Sequence, residues 1–273
     1  MNREDIIQEL RARGYSAIEN DVYKNGVKLE AIIIKDNSRI TPTIYTEPIF
    51  SHAESIKQAA DMVERIYLEN KSVDFDINQL TDKDFIMSHV RIGLEHENEH
   101  ITALSRQTEY QGLTQYLYIT SELSDETKWS VRITPQLAEN AALDVDELWK
   151  AAEQNTFADS TITSMAEILI EMGMLDADAS AELPDDSFMY VISNHSRQRG
   201  ASSILNKQLL QQFADEHNCK KLVILPSSIH ECILIPCDEE VDIENFDAMV
   251  QEVNSTQVAP EEVLLDHAFI VNF

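Results

Sequence analysis

Glycine is scarce in this 273-residue chain, and its spacing excludes the common phosphate-binding loops. No two of the six glycines are closer than twelve residues, so neither a G-x-G-x-x-G fingerprint nor a P-loop can be drawn. Such loops need closely spaced glycines because their backbone amides must approach the anion. Standard P-loop and dinucleotide-binding enzymes are therefore excluded.

Cysteines and long apolar runs are also few. The three cysteines, Cys219, Cys232 and Cys237, are an odd set without C-x-x-C spacing, which predicts neither a disulfide framework nor a zinc knuckle. The longest purely apolar run, Phe188 to Ile192, has five residues, so no membrane-spanning segment is expected. The N-terminus lacks the apolar region of a secretory signal, and we therefore expect a cytoplasmic protein.

Positive charge is the third deficiency. The chain has 49 acidic and 21 basic residues, a net charge of −28, and carries no Lys or Arg after Lys221. Residues 151–273 alone hold 22 acids and 5 bases, a net charge of −17. Nucleic-acid binding requires clustered Lys and Arg that release counterions, so direct binding is not expected. The charge can serve solubility, a basic protein partner or mimicry of a nucleic acid.

Hydrophobic periodicity predicts an α+β fold with mixed or antiparallel sheets and packed helices. The first predicted domain, 1–70, contains a helix, a hairpin turning at Asn25-Gly26, a strand over 39–46 and a helix from Ser51 to Asn70. The polar segment 71–83 is predicted to be a linker to a larger domain over 84–273. Its expected strands are 90–95, 113–123, 129–134, 188–193, 221–225, 232–235 and 263–271, and its helical regions are 135–172, 200–217 and 243–253.

One motif formally matches a zinc peptidase. His96, Glu97 and His100 fit H-E-x-x-H, which in such enzymes lies on a helix so that both histidines face the metal, and Glu122 could complete the site. The preceding residues Val90 to Leu94 alternate like a strand instead. We therefore interpret the match as a chance one in an exposed loop and predict no metal site.

A second group combines the side chains of a hydrolase. Ser227, Ser228, His230 and Glu231 offer nucleophile, base and carboxylate within five residues. In an extended segment neighbouring side chains point to opposite faces, so His230 and Glu231 would diverge. A polar structural turn, a ligand or partner site, and a hydrolase centre helped by Asn194 or Asn155 all remain open.

The loop from Asn194 to Gly200 is the third candidate. Arg197 and Arg199 are the only Lys or Arg residues between Lys150 and Lys207, and the loop leads into a predicted helix. Amides at a helix N-terminus attract anions, so the loop could bind a carboxylate or phosphate. The alternative, which the sequence favours, is a structural loop whose arginines pair with the abundant acids.

Several segments resemble a known family: Met189 to Asn194, Gly200-Ala201, Leu225 to Glu231, and Glu252 to Asn254 with Gln257 to Glu262. Over nearly its whole length the chain resembles an uncharacterised domain-of-unknown-function family of Firmicutes bacteria, including gut species. The resemblance implies no activity, cofactor or substrate, and it does not require the histidines of 96–100. It marks 193–200, 227–231 and 252–262, and with them Asn254, as places for a shared function, and Asn155 fits the same pattern.

These observations leave the function unknown. They favour a non-enzymatic acidic protein that binds a protein partner, such as one with a basic surface, through its C-terminal half and without a cofactor. A hydrolase or ligand site around His230 is the main alternative, and the zinc peptidase is the weakest one.

Overall fold

The computed structural model describes residues 1–36, 41–71, 76–124, 127–175, 189–226, 228–238 and 242–273, without the side chains of 122–124 and 127–128. The chain forms two compact units, Met1–Asp76 and Ile77–Phe273. This division falls inside the segment 71–83, and the independence of the two units stays a prediction. The predicted α+β class is confirmed. In the described ranges every helix is too short or too polar to cross a bilayer.

The first unit begins with a capped helix and a hairpin: α1 (Arg3–Ala12), β1 (Ala17–Lys24) and β2 (Val27–Ile34). The strands are antiparallel, and the turn residues Asn25 and Gly26 have φ angles of 48° and 79°. Asn and Gly tolerate this left-handed conformation, which a two-residue hairpin turn requires at both positions. The predicted hairpin is therefore confirmed.

One short strand and two helices complete this unit: β3 (Ile44–Tyr45), α2 (Thr46–His52) and α3 (Ile56–Asn70). Strand β3 pairs with β2. Apolar residues of the helices and strands form one core, among them the fully buried Ile6, Leu10, Ile32 and Val63. Burying side chains of this size contributes roughly 1.5–3 kcal/mol each, which holds the short elements together.

Two predictions for the first unit were wrong. The long helix is capped by Ser55, whose hydroxyl accepts the N–H of Gln58 at 3.2 Å, and not by Ser51. Extended backbone at Ala53 separates it from the short helix before it. The strand expected over 39–46 is seen at 44–45, while 37–40 lie outside the described residues.

The second unit contains two antiparallel sheets. The elements of the first are α4 (Lys83–His89), β4 (Val90–His96), β5 (Ser105–Gln107), β6 (Leu113–Ser124), β7 (Thr127–Arg132), α5 (Pro135–Asn140) and α6 (Val145–Ala158). Strand β6 pairs with β4, β5 and β7. One face of this sheet packs its buried Ile92, Leu117 and Ile119 with Ile86 of α4 and Leu148 of α6. Helix α4 was not predicted, and it supplies part of the functional site described below.

The second sheet has the order β12–β10–β11–β9–β8. Its strands are β8 (Ser160–Ser164), β9 (Tyr190–Asn194), β10 (Lys221–Leu225), β11 (Cys232–Cys237) and β12 (Phe269–Asn272). Helices α7 (Met165–Glu171), α8 (Lys207–Glu216) and α9 (Ile243–Gln257) belong to the same half of the unit. Residues of α8 and of the sheet, including Ile192, Leu210, Leu222 and Leu234, share one core.

Three predictions for this half were wrong in detail. Strand β8 interrupts the helical region expected over 135–172, because the β-branched residues of Thr161-Ile162-Thr163 favour an extended edge strand beside β9. The helix expected over 200–217 is a 3₁₀ turn (Gly200–Leu205) followed by α8, which Asn206 caps. The closing strand is shorter than 263–271, and Val263 instead forms an isolated bridge with Ser228.

Candidate functional site

The second face of the β4–β6–β7 sheet carries polar and aromatic side chains. The strand register places Arg91 opposite Tyr118, Gly93 opposite Tyr116, and Glu95 opposite Thr114. Neighbours of this kind on adjacent strands share a face. Alternation in the sequence suggests a solvated face here, yet Glu95, Tyr116 and Tyr118 are 2%, 1% and 5% exposed. This sheet is therefore covered on both sides.

A buried pair of charges and a tyrosine organise this face. Arg132 donates to both carboxylate oxygens of Glu95, at 2.9 and 2.7 Å. Burial is the largest single effect and opposes the charge of Arg132, but the hydrogen bonds to Glu95 together with the electrostatic effects of Tyr116 and Glu95 raise its pKa. The guanidinium of Arg132 lies 4.4 Å from the ring centroid of Tyr116. Because a Cβ on Gly93 would lie 2.5 Å from Cζ of Tyr116, the glycine makes room for that ring.

Tyr116 in turn holds Arg199. The Nη1 of Arg199 donates to the hydroxyl of Tyr116 at 2.6 Å, and its guanidinium lies 5.6 Å from the ring centroid of Tyr118. Burial raises the pKa of Tyr118, against smaller opposite effects of Arg199 and Arg91. Tyr118 therefore presents a neutral hydroxyl at neutral pH.

The loop before Arg199 is closed by the side chain of Asn194. Its Oδ1 accepts the N–H of Gln198 at 3.1 Å and the hydroxyl of Ser196 at 3.2 Å, while its Nδ2 donates to the Gln198 carbonyl at 2.9 Å. Arg197 and Arg199 both have left-handed φ angles, 50° and 55°. Such angles cost energy in residues other than glycine, so the tight loop must be maintained by these local bonds.

The same loop is fastened to the segment around His230. Ser193 donates its hydroxyl to the His230 carbonyl at 2.8 Å, and Ala201 donates its N–H to the Ile229 carbonyl at 3.3 Å. Gly200 lies at the crossing point, where an added Cβ would be 2.5 Å from the Asn194 nitrogen and 2.9 Å from the His230 oxygen. Only a residue without a side chain fits this close approach.

The ring of His230 has a defined tautomer. Its Nδ1 accepts the backbone N–H of Arg199 at 3.2 Å, so the neutral ring carries its proton on Nε2. That Nε2 lies 3.3 Å from Oε1 of Glu262. The carboxylate beside His230 is thus Glu262 of the 252–262 segment, and no ion pair joins His230 to the adjacent Glu231.

A hydrolase triad is not formed by the described part of this group. The hydroxyl of Ser228 accepts the backbone N–H of His230 at 2.9 Å, as in a local turn, while both ring nitrogens face other groups. In a triad one ring nitrogen must face the nucleophile. Ser227 lies outside the described residues.

A cavity of about 750 Å³ opens where these segments meet. Its charged residues and histidines come from four separate segments of the second unit: His89, Arg91, Asp159, His195, Arg199 and His230. Hydroxyl and aromatic groups from β6 and β7, among them Tyr118, Thr120 and Trp129, form another part of the wall. The volume lies within the range of small-molecule sites, roughly 300–1,000 Å³.

The fixed charges of the cavity are positive in sum. Arg91 donates its Nη1 to the Val90 and Ser88 carbonyls at 3.0 and 3.3 Å, and Arg199 donates to a tyrosine. Among the described residues neither guanidinium has a carboxylate oxygen within 4.0 Å. Asp159 is the single acid among the described lining residues, and it is engaged by His195, whose Nδ1 lies 2.9 Å from Oδ1.

The predicted site residues thus separate into two groups. Asn194, Arg199 and His230 line the cavity. Arg197 instead pairs with Glu171 at 2.9 Å, and Asn155 donates to the Met87 and Val90 carbonyls at 2.9 and 3.0 Å. The role of Asn155 is to hold α6 against the start of β4.

Asn254 is also part of the architecture. It is 8% exposed, and its Nδ2 donates to the Leu265 carbonyl at 2.9 Å and to Asp266 at 2.7 Å. The contact fixes α9 to the segment before β12. This family segment nevertheless contributes Glu262 beside His230.

The H-E-x-x-H segment lacks the helix that a zinc peptidase needs. His96 is the last residue of β4, and the turn after it is closed by Asn98, whose side chain bonds the His96 carbonyl and the His100 N–H. The two histidines are therefore not on one helical face. In the described ranges no group of three or more potential metal ligands is found.

Sequence reasoning missed Arg91, Asp159, His195 and Glu262. Arg91 looked like the exposed side of a strand, and Asp159 lay inside a predicted helix. Usable signals were present for His195 and Glu262, since both belong to segments already marked by the family resemblance.

Comparison with known proteins agrees with that resemblance. Neither a curated protein nor a solved structure matches the chain. A family model, however, matches residues 3–271, nearly the whole length. The chain therefore belongs to DUF5688, a family of unknown function.

Proposed function

We propose that the second unit binds a small anionic ligand in the cavity between the 194–199 loop, His230 and the end of the β6–β7 hairpin. The observation that carries the proposal is that Arg91 and Arg199, both in the cavity wall, have no carboxylate partner among the described residues. Most arginines of the described residues pair with a carboxylate, so two that do not, in one cavity wall, distinguish this site.

The geometry supports an oxyanion in particular. Guanidinium groups bind carboxylates and phosphates through paired N–H donors, and charge-assisted bonds of this kind are stronger than neutral ones. Tyr116 orients Arg199, and backbone carbonyls hold Arg91. Because these groups are already fixed, binding would require little further ordering, which favours affinity.

The test compares two arginines of the same loop. Isothermal titration with pyrophosphate, at neutral pH and low salt, is expected to detect binding to the whole protein. Arg199→Gln should weaken it by about 10–100-fold, since a hydrogen bond to a charged group contributes about 1.5–3 kcal/mol. Arg197→Gln is the matched control, because Arg197 pairs with Glu171 and is not among the described lining residues.

Arg91→Gln gives an independent check, since Arg91 holds no other side chain of the described part of the chain in place. It is also expected to weaken binding. Equal effects of the two loop variants, or no binding of pyrophosphate to the folded wild-type protein, would reject the proposal.

A second candidate function follows from the acidic C-terminal half. Among the described residues after Lys221, the single ion pair joins His230 and Glu262, so most of these acids lack a cationic neighbour. We therefore retain the hypothesis of a basic protein partner. Capture of a partner from lysate that weakens steeply between low and moderate salt supports it, and capture indifferent to salt contradicts it.

A further inference from the structure

The wall of the cavity contains a stack of three aromatic rings. Phe85 and His89 of α4 have ring centroids 4.0 Å apart and planes within 13°. The ring of Phe85 is also nearly parallel to that of Trp129 on β7, at 6.2 Å and 10°. The outer members of the stack, His89 and Trp129, both line the cavity. The cavity therefore offers an oriented aromatic surface beside its arginines.

Hydroxyl groups line the cavity as well, in addition to the arginines and the aromatic rings. Thr120, Ser121 and Ser130 line the cavity along the end of β6 and the facing part of β7. Strand β6 continues here beyond Ile119, the last residue that pairs with β4, so the hairpin end is open on that side. Hydroxyls both donate and accept, which suits a ligand that itself carries hydroxyl groups.

A bare oxyanion would use a small part of such a cavity. The volume of about 750 Å³ has room for a ligand with a flat ring and a polar middle in addition to an anionic end. A base can stack on an aromatic side chain whatever its hydrogen-bonding pattern, because every base has a π-face. A sugar supplies the hydroxyls, and a phosphate the charge.

We propose that the ligand of the cavity is a nucleoside monophosphate. Its phosphate is bound by Arg91 and Arg199, its ribose faces the hydroxyls of β6 and β7, and its base stacks on the ring of Trp129. This inference rests on the anion site proposed above. It needs no glycine-rich loop, because guanidinium groups replace the backbone amides that such loops provide.

One phosphate matches the charge of the site better than several. Arg91 and Arg199 together oppose Asp159, so the fixed charges of the described lining residues sum to one positive charge. A phosphate monoester carries about 1.5 to 2 negative charges at pH 7. A triphosphate would add negative charge that nothing in the described lining offsets.

The experiment removes one part of the ligand at a time. Titration of the whole protein with adenosine 5′-monophosphate, ribose 5-phosphate and adenosine compares the complete ligand with one lacking the base and one lacking the phosphate. We expect the nucleotide to bind at least about tenfold more tightly than ribose 5-phosphate, because base stacking on an aromatic side chain is worth this much or more. Adenosine should bind more weakly than the nucleotide as well.

Tryptophan fluorescence provides a readout that does not require a variant. The protein has two tryptophans, and Trp149 is buried in the core of the second unit. Stacking of a base on Trp129 is expected to quench emission, whereas ribose 5-phosphate should leave it unchanged. In Trp129→Leu the ratio of the two affinities should fall towards one.

The outcomes separate this inference from the proposed function. If pyrophosphate and ribose 5-phosphate bind in an Arg199-dependent manner but the nucleotide gains neither affinity nor quenching, the nucleotide proposal is wrong and the anion site stands. If none of the anions binds to the folded protein, both proposals fail. The monophosphates of the other three nucleosides extend the comparison. If all four quench the emission and bind equally tightly, the base is bound by stacking alone. A much higher affinity for one of them would add recognition of that base to the proposal.

Discussion

Two groups of arginines, one in each unit, have opposite surroundings. In the first unit Arg13 is surrounded by Glu9, Asp61 and Glu64, with nitrogen-to-oxygen distances of 3.0, 2.7 and 2.9 Å. In the second unit Arg91 and Arg199 lie in a cavity wall and bond to neutral oxygens. In a chain with more than two acids for each base, leaving an arginine without an acid requires the fold to keep acids away. Most arginines of the described residues pair with a carboxylate, and the exposed Arg65 of the first unit is an exception besides Arg91 and Arg199. What marks the site is that two such arginines share one cavity wall.

The largest difference in stability between the units is expected when an arginine is removed from its carboxylate partners. Arg132→Gln would leave the carboxylate of Glu95, whose side chain is 3% exposed, without its cation. An uncompensated buried charge destabilises a protein by about 3–5 kcal/mol. Arg13→Gln should cost about 1 kcal/mol or less, because its three carboxylates are partly exposed and regain water.

Chemical denaturation of both variants, followed separately for each unit, measures these costs. A similar small loss in the two variants would show that the Glu95–Arg132 pair is as well solvated as the surface group, and it would remove the contrast between the units.

A smaller difference in stability between the units is expected when a glycine is replaced by alanine. In Gly200→Ala the new methyl group would meet the Asn194 nitrogen and the His230 carbonyl, and overpacking of this kind costs about 1–3 kcal/mol. It should also displace Arg199 and abolish anion binding. Gly14→Ala in the first unit meets no atom within 4 Å, and its cost of about 1 kcal/mol comes from its φ of +94° alone.

Denaturation together with pyrophosphate titration checks this second comparison. Retention of full anion affinity in the folded Gly200→Ala protein would mean that the crossing of the two loops does not position Arg199. Loss of anion affinity in Gly14→Ala would mean that a change in the first unit alters the anion site of the second.

Local patterns in the sequence predicted most individual elements. Asn25-Gly26 determines its hairpin because the turn requires two left-handed residues, and the alternation around Val90 and Leu117 determines two strands. Predictions failed where tertiary context decides between similar propensities. Strand β8 follows directly after α6. Although the β-branched Thr161-Ile162-Thr163 favours extended backbone, the pairing with β9 that makes it a strand cannot be read from the local sequence.

The site was less accessible to sequence reasoning than the fold. Arg91, Tyr118, Asp159, Arg199 and His230 are far apart in the chain, and antiparallel pairing across two sheets brings them together. Proximity in sequence was misleading as well. Glu231 is adjacent to His230 but forms no ion pair with it, whereas Glu262, 32 positions away, lies 3.3 Å from its ring. A single sequence carries no information on such pairings.

The cationic cavity of an acidic protein has a consequence for the rate of binding. At distances beyond the cavity, an approaching anion experiences the net charge of −28, which repels it. Within the cavity it meets two guanidinium groups, which attract it. Salt screens the long-range repulsion over about 10 Å at 0.1 M and affects the short contacts less. Moderate salt should therefore speed association, the reverse of the usual steering of a ligand by opposite charge, and it should act on the rate of entry more than on the lifetime of the complex.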